Sequence, residues 1–93
     1  MKVYILQNQD AIGCEDEISA FGSLIEAAAA YNETIKETAD LYKIKGYKSS
    51  LLKKGAVAKA EGRTIDVQWK AEEVGCTHTI SLFSREIQFA QRV

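Results

Sequence analysis

Three clusters in this 93-residue chain combine residue types that can do chemistry. Cys76-Thr77-His78 sets a thiol and an imidazole two positions apart. On a strand such residues share a face, and a base beside a thiol is what turns it into a nucleophile. Same-face neighbours stand about 6–7 Å apart at the Cα, however, and no third group follows to orient the imidazole. The pair is therefore expected to belong to a half-buried strand face with Ile80 and Leu82, not to a catalytic centre. Adding Cys14 gives a third zinc donor, but without the closely spaced ligand pairs of structural zinc and with a carboxylate needed to complete the set. Glu15-Asp16-Glu17 could attract a divalent cation, yet it lacks the alternating oxygen ligands and the glycine of a calcium loop. There is no phosphate-binding loop, no G-x-G-x-x-G and no Ser–His–Asp pattern. No catalytic residue, metal ligand or cofactor is assigned, and the chain is read as a non-enzyme.

The third cluster is electrostatic. Tyr42 to Arg63 carries seven of the twelve basic residues against one acid, Glu61. Lys43, Lys45, Lys48, Lys53, Lys54, Lys59 and Arg63 could track a phosphate backbone, with Tyr42 or Tyr47 stacking on a base. Against that, the chain is not net basic, and lysine outnumbers the arginine that reads bases in a bidentate way. The same cations could meet an acidic protein surface, sit on an edge strand to discourage aggregation, or face the acids of their own chain. The candidate partner-binding set is Lys43, Lys45, Tyr47, Lys48, Lys53, Lys54, Lys59 and Arg63, with Glu33 and Glu37 from the acidic side. Tyr47 is the aromatic expected on an exposed face, and Trp69 is expected in the core.

A net charge of −1 conceals opposed blocks. Residues 1–42 balance at −6, residues 43–70 at +6 and residues 71–93 at −1. The 46% hydrophobic and 27% charged fractions are those of an ordinary globular domain, and the length suits one domain over residues 1–93. No apolar run is long enough to span a bilayer, and the apolar run after Lys2 breaks at Gln7, too early for the core of a signal peptide. A cytoplasmic protein with two reduced thiols is expected.

The surrounding elements must position these groups. "KVYILQ" reads as a strand, "NQDAIGCEDE" as a loop, and "EISAF" as a strand returning beside the first. Ser23–Glu26 has the form of a capping box. From it runs a helix with Leu24, Ala28, Tyr31, Ile35, Ala39 and Tyr42 on one face and Glu26, Glu33, Glu37 and Asp40 largely off it. The helix should end between Asp40 and Lys45. "YKIKGYK" fits a strand or a frayed helix end, and "SSLLKKG" a loop or one helical turn. "AVAKAE" and "RTIDVQWK" read as a hairpin turning at "AEGR", and "CTHTISLF" as a further strand. The tail "SREIQFAQRV" fits a strand or a short helix. The expected architecture is α+β, one long helix packed on a mostly antiparallel β-sheet of about four to six strands. One helix leaves part of such a sheet bare, so a homodimer is expected.

The opening "KVYILQ…DEISAFGSLIEAAAAY" resembles that of many small, mostly uncharacterised bacterial and phage proteins. The matching residues are Val3 to Leu6, Phe21, Ser23, Glu26 and Ala27, over the first third of the chain. The resemblance implies a strand, hairpin and capped helix, an origin in a mobile element, and action by binding and blocking a host protein. The leading expectation is thus a small binding protein that occupies or inhibits a host protein surface. A nucleic-acid binder using residues 42–63 and a small-molecule sensor with its pocket between helix and sheet are the alternatives. No membrane partner is expected.

Overall fold

The computed structural model describes residues 2–10, 16–73 and 76–87. Strand β1 (Lys2–Asp10) is followed by β2 (Glu17–Phe21), helix α1 (Leu24–Tyr42), a 3₁₀ turn (Tyr47–Ser50), helix α2 (Lys54–Ala60), and strands β3 (Asp66–Glu73) and β4 (Cys76–Glu86). The strands form one antiparallel sheet in the order β2-β1-β4-β3. The fold is α+β, with the long helix packed on the sheet as its periodicity demands.

Register explains the layering. Tyr4 lies opposite Ser84, Leu6 opposite Leu82, and Ile80 opposite Trp69. Directly paired residues share a face, so these side chains make one inner surface. Onto it α1 lays Leu24, Ala27, Ala28, Tyr31, Ile35 and Ala39, all buried. Tyr4, Leu24, Tyr31, Ile35, Ile80 and Leu82 are the largest fully enclosed side chains. Leu24, Ile35, Ile80 and Leu82 each contribute about 1.5–3 kcal/mol of transfer free energy. Burial also pushes the Tyr31 hydroxyl pKa up, because a phenolate there would be desolvated. Trp69 lies in this core, as its alternation with Ile65 and Val67 predicts.

Two turns are bound in by side chains. The Tyr4 hydroxyl accepts from the Gly62 N–H at 2.8 Å. The Ser84 hydroxyl accepts from the Ile65 N–H at 3.0 Å, while the Ser84 N–H donates to the Ile65 carbonyl at 2.9 Å. Together they hold the approach to β3 against the inner strands.

Several expectations are corrected. Asn8, Gln9 and Asp10 continue β1 instead of opening a loop, because β4 supplies partners as far as His78. "AVAKAE" is not a strand: residues 54–60 are helical, and residues 61–65 connect α2 to β3. Alanine favours helix, and the helical spacing buries Val57 and half-buries Ala60, which strand alternation would point apart. The seven cations lie on helix ends, turns and connections, not on an edge strand. Tyr47 is half-buried and packs on the core. Ser84 to Glu86 belong to β4, and residues 88–93 lie outside the described set, as do Cys14 and Glu15.

Candidate interaction site

The end of α1 and the segment after it gather the cations. Helix α1 stops at Lys43, which adopts the left-handed conformation (φ 57°, ψ 41°) and donates its N–H to the Ala39 carbonyl. Ile44 donates to the same carbonyl at 2.8 Å. This is the usual helix stop, with lysine where glycine is ordinarily found. Gly46 then takes φ 82° and admits the 3₁₀ turn.

From there the chain is tied back to the middle of α1. Asn32 Oδ1 accepts from the Leu52 N–H at 2.8 Å, and Asn32 Nδ2 donates to the Leu52 carbonyl at 2.9 Å. Leu51 and Leu52, half-buried, turn toward the core and leave Lys53 and Lys54 outside. Helix α2 follows and packs on α1. It has no side-chain N-cap of its own.

At the far end of α2 a carboxylate performs the cap for the other helix. Glu61 Oε2 accepts from the Leu24 N–H at 2.8 Å and from Gly62 N–H at 3.3 Å, while Ser23 Oγ donates to Glu61 Oε1 at 3.1 Å. The Leu24 hydrogen bond, with those from Ser23, Ile25 and Gly62, holds this carboxyl below the usual glutamate range. Ser23 Oγ also accepts from Glu26 N–H at 3.4 Å, the first half of the expected capping box. Residue 61 supplies the carboxylate here, reaching the helix from 37 positions away.

Between α1 and α2 lies a groove of about 290 Å³, lined by Ile25, Ala28, Ala29, Asn32, Leu52, Lys54, Val57 and Ala58. Its walls are almost wholly apolar, and Ile25 at its mouth is 57% exposed. Of the predicted cations, Lys54 lines this groove and Lys53 precedes it at the start of α2. Lys43, Lys45, Lys48, Lys53, Lys54, Lys59 and Arg63 are all exposed. Among the described residues none of the seven side chains makes a hydrogen bond or ion pair. Glu33 and Glu37 are exposed on the outer face of α1, with Glu26 and Asp40. The seven bases thus run exposed along the chain from the end of α1 through α2 to Arg63, while Glu26, Glu33, Glu37 and Asp40 are exposed on α1, Glu33 one turn from the groove-lining Ala29. Tyr47 does not join them as a free ring.

The groove was not foreseen from sequence. Ile25 and Ala29 fall off the apolar stripe of α1, and a strand over residues 56–61 would have had no helical flank to offer. The only available signal was Ile25 itself, a large apolar residue off the core face.

The residues considered for chemistry are placed differently. His78 is buried beneath Tyr42, ring centroids 4.1 Å apart and tilted by 33°, so solvent has no access to its imidazole. Asp16 accepts from Gln7 Nε2 at 3.2 Å and Gln9 Nε2 at 3.5 Å. Among the described residues no group of three or more His, Cys, Asp or Glu side chains could hold a metal ion. Nor is any described helix long and apolar enough to cross a membrane.

Comparison with protein-family models, with curated proteins and with solved structures finds no match to this chain. The site is read from its own residues.

Proposed function

We propose that this chain is a non-enzymatic binding protein that works by occupying the surface of a protein partner. The observation that carries the reading is the run of seven exposed cations, free of internal partners among the described residues, of which Lys54 lines an apolar groove. Charge without internal satisfaction, next to apolar surface, is what a steering and docking face requires. In keeping with the resemblance at its N-terminal third, the proposed setting is a phage-encoded protein acting on a host protein in the host cytoplasm.

The nucleic-acid alternative has the cations, but its aromatics are partly committed elsewhere. Tyr42 has one ring face against His78, and Tyr47, half-buried, packs on the core, which leaves less ring surface for stacking on a base. The proposal also includes a homodimer. The sheet face turned away from α1 carries Val3, Ile5, Ala20 and Phe83, and Ile18 there is 65% exposed.

The test is affinity capture from host lysate, with and without nuclease, repeated with two charge-reversed variants. One is Lys43→Glu/Lys45→Glu/Lys48→Glu, the other Glu33→Lys/Glu37→Lys. A discrete protein retained after nuclease and lost with the lysine variant supports the reading. Recovery abolished by nuclease, or indifferent to both variants, refutes it.

A further inference from the structure

The groove narrows the choice of partner. Its one amide side chain, Asn32, commits both its oxygen and its nitrogen to the Leu52 backbone. The remaining walls are apolar except at Lys54, whose ammonium forms no hydrogen bond or ion pair among the described residues. The guest that satisfies such a trough has an apolar body and a carboxylate placed to reach Lys54.

Cations continue past the groove. Lys53 precedes Lys54 at the start of α2, and Lys36 stands one turn beyond Asn32 on the same helix, both exposed. The one acid on this connection, Glu61, is engaged at the N-terminus of α1. A single small carboxylate uses one of these charges; a polypeptide with several acids uses them together. The trough is walled in part by the small side chains of Ala28, Ala29 and Ala58, and at about 290 Å³ it lies at the lower limit of small-molecule sites, about 300–1,000 Å³. It is large enough for one or two side chains from a helix laid across it.

Resting on the protein-binding reading above, we propose that the α1–α2 groove receives an acidic amphipathic helix of the partner. Its apolar ridge seats on Ile25, Ala29, Leu52 and Ala58, and its carboxylates pair with Lys54, Lys53 and Lys36. Glu33, exposed one turn beyond Ala29, repels the same carboxylates and holds the guest toward α2.

The experiment uses the full chain, ¹⁵N-labelled, and two stapled helical peptides sharing one leucine ridge, with glutamate at the remaining positions in one and lysine in the other. Sodium decanoate serves as the small-carboxylate probe. The glutamate peptide should shift the amide resonances of Ile25, Ala29, Leu52 and Ala58, and should bind about tenfold more tightly than the lysine peptide. Ala58→Trp and Ala29→Trp, each filling the trough from an exposed position, should each weaken it about tenfold while the remaining spectrum stays native. Lys54→Glu should reverse the preference between peptides. No binding, shifts confined to the sheet, or an affinity indifferent to both tryptophan variants would overturn the proposal. Decanoate matching the peptide in the groove would overturn it in favour of a small ligand. If the triple lysine variant loses the captured host protein while both tryptophan variants retain it, the groove proposal fails and the protein-binding reading stands.

Discussion

Asn32 and Leu52, twenty residues apart, are joined by two hydrogen bonds that use both backbone groups of Leu52 and both polar atoms of the asparagine side chain. The arrangement imitates one rung of a strand pair. It is the polar tie that brings the segment between the 3₁₀ turn and α2 onto α1. Since α2 is too short to be a stable helix by itself, this tie and the burial of Val57 give it a place to form.

Asn32→Ala should therefore cost about 1–3 kcal/mol, because the part-buried backbone groups of Leu52 lose their partners. Urea unfolding should show a lower midpoint, and the Leu52 amide should exchange faster with solvent than in the parent protein. Unchanged exchange at Leu52 would show that the segment is held by packing alone.

Glu61 makes stability depend on pH in a defined direction. Its folded-state pKa is lowered from the ordinary value, foremost by the Leu24 N–H. Its contribution is therefore fully present above the unfolded value and is lost as pH falls through the folded one, in the window below about pH 4.5. Glu61→Gln should be less stable than the parent at neutral pH, and the gap should close on acidification. At the alkaline end the sign is opposite for Tyr31. With its folded pKa raised by burial, stability is lost as pH rises above about 10. Denaturant titrations across pH, on the parent and on Glu61→Gln, read both effects.

Lys43 tests whether a candidate binding residue is also a structural compromise. A non-glycine residue in the left-handed region costs about 1–2 kcal/mol. Against the greater unfolded-state entropy of glycine, Lys43→Gly should still stabilise the fold by about 0.5–1 kcal/mol. It should raise the melting temperature by a few degrees, reduced by the small favourable interaction of the lost ammonium with the C-terminal dipole of α1. A fall in melting temperature would mean that the lysine side chain contributes more than its backbone strain removes.

The sheet face turned away from α1, which no described helix covers, supplies the last prediction. Its apolar residues run across three strands, Ala20 beside Ile5 and Ile5 beside Phe83, with the Arg85 guanidinium 4.7 Å from the Phe83 ring centroid. If two copies cover this face, light scattering should give a dimer mass, and Ile18→Lys with Phe83→Lys should return the monomer with its sheet intact by circular dichroism. A parent protein that is monomeric at high micromolar concentration would remove the dimer from the proposal.

Much of this architecture could be read before any coordinates. The stripe from Leu24 to Ala39, the hairpin of "KVYILQ" and "EISAF", the alternation that buries Trp69, and the final strand through His78, Ile80 and Leu82 are local patterns. A repeated step of two or of three and four residues over a long run fixes which face must leave water. The half of the capping box made by Ser23 was legible for the same reason, being three residues long.

The site was legible only as charge. That Lys43 to Arg63 would be basic and exposed follows from composition, because unpaired lysines stay in water. That Leu52, Lys54, Val57 and Ala58 wall a groove against α1 does not follow. Residues 54–60 are too few for periodicity to separate helix from strand, and their helix depends on Asn32, Val57 and the surface of α1. Glu61 looked like the lone acid of a basic turn until the fold carried it to the start of α1. Tyr47 looked like a surface ring until the same connection pressed it onto the core. In each case the deciding contact joins residues distant in the chain, and no local pattern encodes which of them the folded backbone will bring together.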